Sequence, residues 1–456
     1  MGRQGPLIVA GVMIGIAGVI AAIGLVDSPT LFIPISLEAF LFLGVTALMI
    51  GRARAPSDRR FLWRVALLAL ALRAGAALLV YGPLDPAFFA SDAYTYHVRG
   101  REVAEFLRLG GESRFAERLQ AGYEWINGFF TLTLGENSFG PVVLNIFAGG
   151  WTALVAWAIG RQCFGEKVGR TAAVLVAIFP SLVLWSVLNI RDALATFLVA
   201  TLMLIALRSY RRVHLPNLIL FVLVALALST LRDYMGVLMV AGLGLGYALG
   251  VRPGRLVSTL VMGTVLSLVV FFLLERFEVL TPEVIEDPFA SATTLRAQLQ
   301  QDFGGGLAGS AITTEIDTST LGGALTYLPL GLIFFLFAPF PWAITSLLQA
   351  ATLPETLFWY ALFPFAVMGL RDTIRSEHAD ALLIVGVLAI TVSSYALVEG
   401  SFGTAYRHRS QFLPLFFVFV AQGLVGWWRE RMRRRYERNR KIAEAKAALF
   451  RRAPGR

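Results

Sequence analysis

Cysteine is all but absent from the 456 residues. Cys163 stands alone, which excludes an intrachain disulfide and a thiolate metal cluster. Lysine occurs only at Lys167, Lys441 and Lys446, so nearly all positive charge is arginine. Charge itself is scarce, at 15% of residues, where soluble domains carry about a quarter. There is no Walker loop, no HExxH helix and no GxSxG elbow, so the chain carries no signal of an ATPase, a metalloprotease or an elbow-type hydrolase. A net charge of +10 without any reader motif does not indicate nucleic acid as a partner.

What is present is apolar length. Hydrophobic residues make up 57% of the chain, and the mean hydropathy is +0.68. Runs of eighteen or more apolar residues recur, enough to cross roughly 30 Å of hydrocarbon as a helix. Their continuous Leu, Ala and Val character, without alternation, selects helices over a closed barrel. Spans are expected near 7–26, 31–50, 61–81, 140–160, 171–189, 192–208, 216–231, 234–250, 256–274, 355–370, 381–398 and 411–427. That is an all-α polytopic membrane protein of about twelve transmembrane helices. The first run lacks a small-residue cleavage site and is expected to be a retained anchor.

Basic connectors at Gly51–Arg60, Arg161–Arg170, Arg208–His214 and Val251–Arg255 alternate with short or acidic ones. The positive-inside rule therefore puts these connectors and both termini in the cytoplasm, where they meet anionic membrane lipids. Residues 325–350 are apolar, but Pro339 and Pro341 interrupt them and a further crossing would reverse the basic tail, so a re-entrant or interfacial segment is expected. The polytopic domain then runs from 1 to 428, followed by a basic cytoplasmic tail at 429–456. Two large external loops remain, at about 82–139 and 275–327. In the first, Val98, Val103, Phe106 and Leu107 alternate with Arg99, Arg101, Glu102 and Arg108 at helical spacing, which suits a helix on the membrane surface. The second contains Gly304-Gly305-Gly306 and is expected to be partly mobile.

Charges next to the bilayer are costly and point to function. Asp92, in Ser91-Asp92-Ala93-Tyr94-Thr95-Tyr96-His97, is placed to take a proton from an acceptor hydroxyl or to ligate a divalent metal. Ser91 or Asp92 equally suits an ordinary helix cap. Arg191-Asp192 and Arg232-Asp233-Tyr234 sit at external junctions, where the arginines either line a phosphate cavity or pair with neighbouring helices. Arg407-His408-Arg409, just before the last span, place three cationic side chains where the positive-inside rule does not ask for them. Arginine's planar fork suits a lipid phosphate.

The order of these features, with Gly122-Tyr123-Glu124-Trp125, Asn145, Leu332 to Trp342 with its Pro-Phe-Pro-Trp end, and Arg407-His408-Arg409-Ser410-Gln411-Phe412-Leu413-Pro414, resembles the GT-C superfamily of membrane glycosyltransferases. Within it, the chain is similar to the family 39, protein-mannosyltransferase-like group. The resemblance implies transfer of a sugar from a polyprenyl-phosphate donor to an acceptor hydroxyl on the external face, with inversion. It implies Asp92 as the catalytic carboxylate and as the metal ligand in members that use a divalent metal; no other cofactor is implied. Many members carry a second acid beside this one, whereas here Asp92 has no acidic neighbour, with Asp85 seven residues earlier and Glu124 further on. Arg407, Arg409 and His408, with Arg191 and Arg232, are the expected donor-phosphate ligands, and Tyr96, His97, Glu124 and Tyr406 the expected substrate contacts. The acceptor is a glycan, a lipid or a protein, and the expected location is a bacterial inner membrane with the site facing out. A polysaccharide polymerase or ligase using a polyprenyl-pyrophosphate carrier is the second reading, though such proteins carry their long loop late. A lipid or solute transporter would favour two related halves with mid-membrane charge, and neither is seen. The glycosyltransferase reading requires that Asp92 and Arg407 converge on one pocket.

Overall fold

The computed structural model describes residues 32–452 apart from 91, 111, 114, 116, 117, 119, 137, 252, 253, 255, 277–286, 301–311, 313–315, 345 and 377, together with Gly15 and Gly18. The expected span at 7–26 and the Gly304-Gly305-Gly306 loop lie outside the described residues. Among those described, regular structure is helical throughout: α1 (Phe32–Gly51), α2 (Pro56–Tyr81), α3 (Pro86–Phe89), α4 (Asp92–Leu109), α5 (Gly122–Leu134), α6 (Phe139–Phe164), α7 (Glu166–Ile178), α8 (Pro180–Leu184), α9 (Asp192–Arg211), α10 (Leu215–Leu231), α11 (Asp233–Leu249), α12 (Leu256–Arg276), α13 (Pro288–Gln300), α14 (Leu321–Phe337), α15 (Leu347–Ala351), α16 (Leu353–Arg375), α17 (Ala379–Val398), α18 (Phe402–Ser410) and α19 (Leu413–Arg452).

Among the described residues, seven helices are long and apolar enough to cross a membrane, and up to nine if the bent pairs α7–α8 and α18–α19 each count as one span. About twelve were expected. Of these, the one at 7–26 lies outside the described residues, and α10 and α11 are equally apolar but stop at 17 residues, short of the roughly twenty that a span needs. The stretch expected to be re-entrant begins as an unbroken helix, α14, and ends at Ala338, before Pro339 and Pro341. The helix α19 runs unbroken from Leu413 to Arg452, so the basic tail continues the last apolar helix.

Burial sorts the helices into layers. The most apolar window of α6 is 89% buried and that of α9 is 72% buried, whereas α1 and α12 bury only 28% and 22%. A helix apolar on every side belongs in the centre, and α6 takes that place. The outer helices turn Leu and Phe side chains outward, such as Leu37, Leu41, Phe271 and Leu260, as lipid-facing surfaces do. Where α11 meets α17, Gly242, Gly246 and Gly386 let the backbones touch. A Cβ on Gly246 would lie 2.5 Å from the Leu383 Cα, so only small residues fit this seam.

Two prolines break the bundle, and a buried arginine sits at each break. Pro180 starts α8 at 62° to α7, freeing carbonyls that a continuous helix would have bonded. Arg73 of α2, 0% exposed, donates to Ala69 O, Ala177 O and Leu182 O at 3.0, 3.3 and 3.3 Å. Gly149 makes room for it: a Cβ there would fall 2.5 Å from the Arg73 Nε. After α14, Arg409 does the same work, donating from one nitrogen to Leu336 O and Ala338 O at 2.6 and 3.0 Å.

Candidate active site

The first element is the helix α4, with Asp92 in its first turn. It packs against α5, and Gly100 lies so close to Asn127 that a Cβ would come within 2.4 Å of the Asn127 Cβ. The helix buries Tyr96, Gly100, Val103 and Ala104, whereas Val98 and Leu107 of the expected apolar face are exposed. Behind it runs a buried polar network. Tyr123 donates to the Asn189 side chain at 3.0 Å, and Asn145 donates to Tyr123 Oη at 2.9 Å and to Leu188 O and Ile190 O at 2.8 Å each. Asn189 in turn donates to Asn127 at 2.8 Å. Tyr123 and Asn145, far apart in sequence, thus fix the chain that leads into Asp192.

Asp192 begins α9 and is 0% exposed. Its Oδ2 accepts from Arg407 Nε at 2.9 Å and from Arg407 Nη2 at 2.6 Å, while its Oδ1 accepts from Arg232 at 2.8 Å and from Gln411 at 3.0 Å. A buried carboxylate is tolerable only when paired and hydrogen-bonded, and here four donations meet that need. The same Arg407 nitrogen reaches Asp92 Oδ2 at 2.9 Å. The loop acid and the late arginine converge, although 315 residues separate them. Asp92 and Arg407 are the open members, with side chains 29% and 20% exposed. The ring of Trp185 lies 5.9 Å from the Arg407 guanidinium.

His408 completes the group. Its Nε2 lies 3.0 Å from Arg232 Nη1, and its Nδ1 contacts Glu399. Arginine only donates, so Nε2 must accept, and the ring proton belongs on Nδ1, facing the carboxylate. Tyr234 accepts from Arg232 at 3.2 Å and lies 3.3 Å from Tyr395 Oη.

The structure therefore brings Asp92, Arg232, Arg407 and His408 into one cluster. Tyr96, 7% exposed, lies beside them: burial pushes its phenol above the usual tyrosine range, Arg191 opposes that rise, and Asp92 and Asp192 add to it. Arg191 donates to Leu231 O at 2.7 Å and ties α9 to α10. His97 is half-buried on α4. Glu124 of α5 pairs with Arg99 of α4 at 3.2 Å. Tyr406 donates to Glu355 at 2.8 Å. Arg409 is turned away from the cluster, 1% exposed against the carbonyls that follow α14.

Three members were missed in the sequence. Asp192 was named only as the neighbour of Arg191 and Gln411 only within the stretch Arg407 to Pro414, and Glu399 carries no motif signal of its own. Among the described residues, no group of three His, Cys, Asp or Glu could hold a metal. The place where a divalent ion would bridge Asp92 and Asp192 is filled by the Arg407 guanidinium, which already supplies the positive charge there. These donors do not fit a metal while Arg407 stays. Beside α5 lies an apolar cavity of about 830 Å³ lined by Leu37, Leu41 and Phe42 of α1 and Trp125, Phe129 and Phe130 of α5.

With this geometry established, the comparisons take their place. The model of the dolichyl-phosphate-mannose-protein mannosyltransferase family matches residues 121–274, which include the Tyr123 network, Asp192 and Arg232. The fold is also similar to solved structures of an oligosaccharyltransferase from Archaeoglobus fulgidus. One is AglB in complex with an inhibitory peptide and a dolichol-phosphate, at 16% identity and a TM-score of 0.46 over 86% of this chain and 53% of that one. Another is the apo form, at 14% identity and 0.47 over 83% and 51%. The chain spans about half the length of these archaeal chains. No curated protein matches it.

Proposed function

We propose that this protein is a membrane glycosyltransferase that moves a sugar from a polyprenyl-phosphate-linked donor to an acceptor hydroxyl at the outer face, with inversion. The observation that carries the reading is the single contact that joins Asp92 to Arg407 at the open side of a buried acid–arginine cluster.

The chemistry follows from the charges. The acceptor oxygen attacks the anomeric carbon from the face opposite the phosphate, so the centre inverts. The bond from that carbon to the phosphate oxygen breaks, and its electron pair stays on the phosphate, which gains one negative charge. The acceptor proton goes to the Asp92 carboxylate. Arg407 faces the charge that develops on the leaving phosphate, and Arg232 and His408 keep it aimed through Asp192. A donor phosphate that takes a nitrogen of Arg407 also frees Asp92 from its guanidinium. The carboxylate then becomes a better base when the donor is bound. The apolar cavity beside α5 suits the polyprenyl chain, and the family match over 121–274 supports the donor class.

Purified protein offered a panel of polyprenyl-phosphate-linked hexoses and pentoses tests this. Asp92→Asn should lower transfer by about 10²–10⁴-fold, the usual contribution of a positioned base. Unchanged transfer by that variant would remove Asp92 as the base.

A further inference from the structure

At the far end of the bundle lies a second cavity, of about 870 Å³. It sits where α1, α2, α6, α9 and α10 end or begin away from the cluster. Arg208 stands 16 residues along α9 from Asp192, about 24 Å at the helical rise. Three of the basic connectors meet there and contribute Arg52, Arg54, Arg161, Arg208 and Arg211 to its lining.

The five arginines are not alike. Arg161 pairs with Asp58 at 2.9 Å, and Arg211 pairs with Asp380. Among the described residues, Arg52, Arg54 and Arg208 form no ion pair, and all three line the same cavity. Like charges held together without an anion define a site for one. The walls give further evidence. Trp157 Nε1, Gln162 Nε2 and Thr201 Oγ1 are buried without a hydrogen-bond partner, and all three residues line this cavity. Buried polar atoms are normally satisfied, so three orphans in one cavity mark where ligand oxygens belong. The rest of the lining is apolar, including Leu154, Phe197, Leu204 and Leu220.

We propose that this cavity binds the phosphate headgroup of an anionic membrane lipid, with the phosphate on Arg52, Arg54 and Arg208, its neighbouring oxygens on the orphaned donors, and its chains along the apolar wall. Basic pockets between membrane helices take such headgroups. A free phosphate shares the charge but leaves the apolar wall uncovered. The site is independent of the sugar-transfer reading, since none of its residues belongs to the Asp92 cluster.

The test is native mass spectrometry of the full chain released from nanodiscs holding equal phosphatidylglycerol and phosphatidylcholine. Wild type should retain phosphatidylglycerol over phosphatidylcholine by at least about tenfold (1.4 kcal/mol). The Arg54→Gln/Arg208→Gln double variant should lose that preference, as should Thr201→Met, which fills the cavity without changing charge. Arg435→Gln/Arg438→Gln removes as much charge from the exposed tail and should keep it. Equal retention by wild type and both cavity variants would overturn the proposal. So would loss of the preference in the tail variant, or full displacement of the lipid by millimolar inorganic phosphate.

Discussion

Both ends of the bundle gather arginine, but they treat its charge in opposite ways. At the Asp92 end every named guanidinium already has an oxygen. Arg407 and Arg232 share Asp192, Arg191 holds Leu231 O, and Arg409 holds Leu336 O and Ala338 O. With Asp92 and Glu399 included, carboxylates outnumber guanidiniums in the cluster itself. At the other end Arg52, Arg54 and Arg208 line one cavity and, among the described residues, form no ion pair. The first arrangement does not attract anions by net charge, so a phosphate must win Arg407 from Asp92. The second has nothing to displace. Under the two proposals, one end would serve exchange during a reaction and the other steady occupancy.

The largest effect that would break this contrast is at Asp192. Asp192→Ala leaves Arg232 buried and unpaired, and such losses cost about 3–5 kcal/mol. Thermal unfolding in detergent should drop sharply, and transfer should vanish. A variant as stable as wild type would mean that the cluster is not held by this carboxylate. Next comes Arg407→Gln, whose side chain is partly open. Transfer should fall by about 10²–10³-fold, as when one donor to a developing anion is removed, while stability changes far less than for Asp192→Ala. Equal losses of stability in the two variants would erase the distinction between an exchanging and a fixed partner. Smaller again is Arg409→Met, which takes the donor from Ala338 O while Leu336 O keeps Trp359 Nε1, and should cost about 1–3 kcal/mol. Donor affinity should be unchanged in that variant; a weakened donor KM would return Arg409 to the phosphate site. The smallest is Glu430→Gln in the tail, whose pairs with Arg433 and Arg434 are exposed. Its unfolding midpoint should match wild type, in keeping with the small worth of surface ion pairs.

Much of this was legible in the sequence, for reasons that differ by residue. Apolar runs fix where helices lie, because lipid leaves the backbone no other partner. Asp92 and Arg407 stand out because charge beside a span needs a cause. Arg407 and Arg409 look equivalent in sequence, yet residues two apart on a helix lie about 200° apart. Once 402–410 is a helix, one can face the cluster only if the other turns away, and the motif hides this. Asp192 reads as an ordinary acid in a first helical turn, where the dipole favours it. Its four donor atoms come from three residues in two other segments of the chain, which no local pattern reports. Glu399 and Gln411 are hidden for the same reason. Arg73 is hidden too, because its partners exist only after Pro180 has broken the neighbouring helix.

The last helix gives the bundle a pointer. α19 is 40 residues long and meets α18, the carrier of Arg407 and His408, at a 68° bend. Its length is about 60 Å at the helical rise. A tilt of one degree at Leu413 would swing Arg452 by about 1 Å, so a probe fixed to the final turn would read small movements of the arginine-bearing helix at a magnified scale.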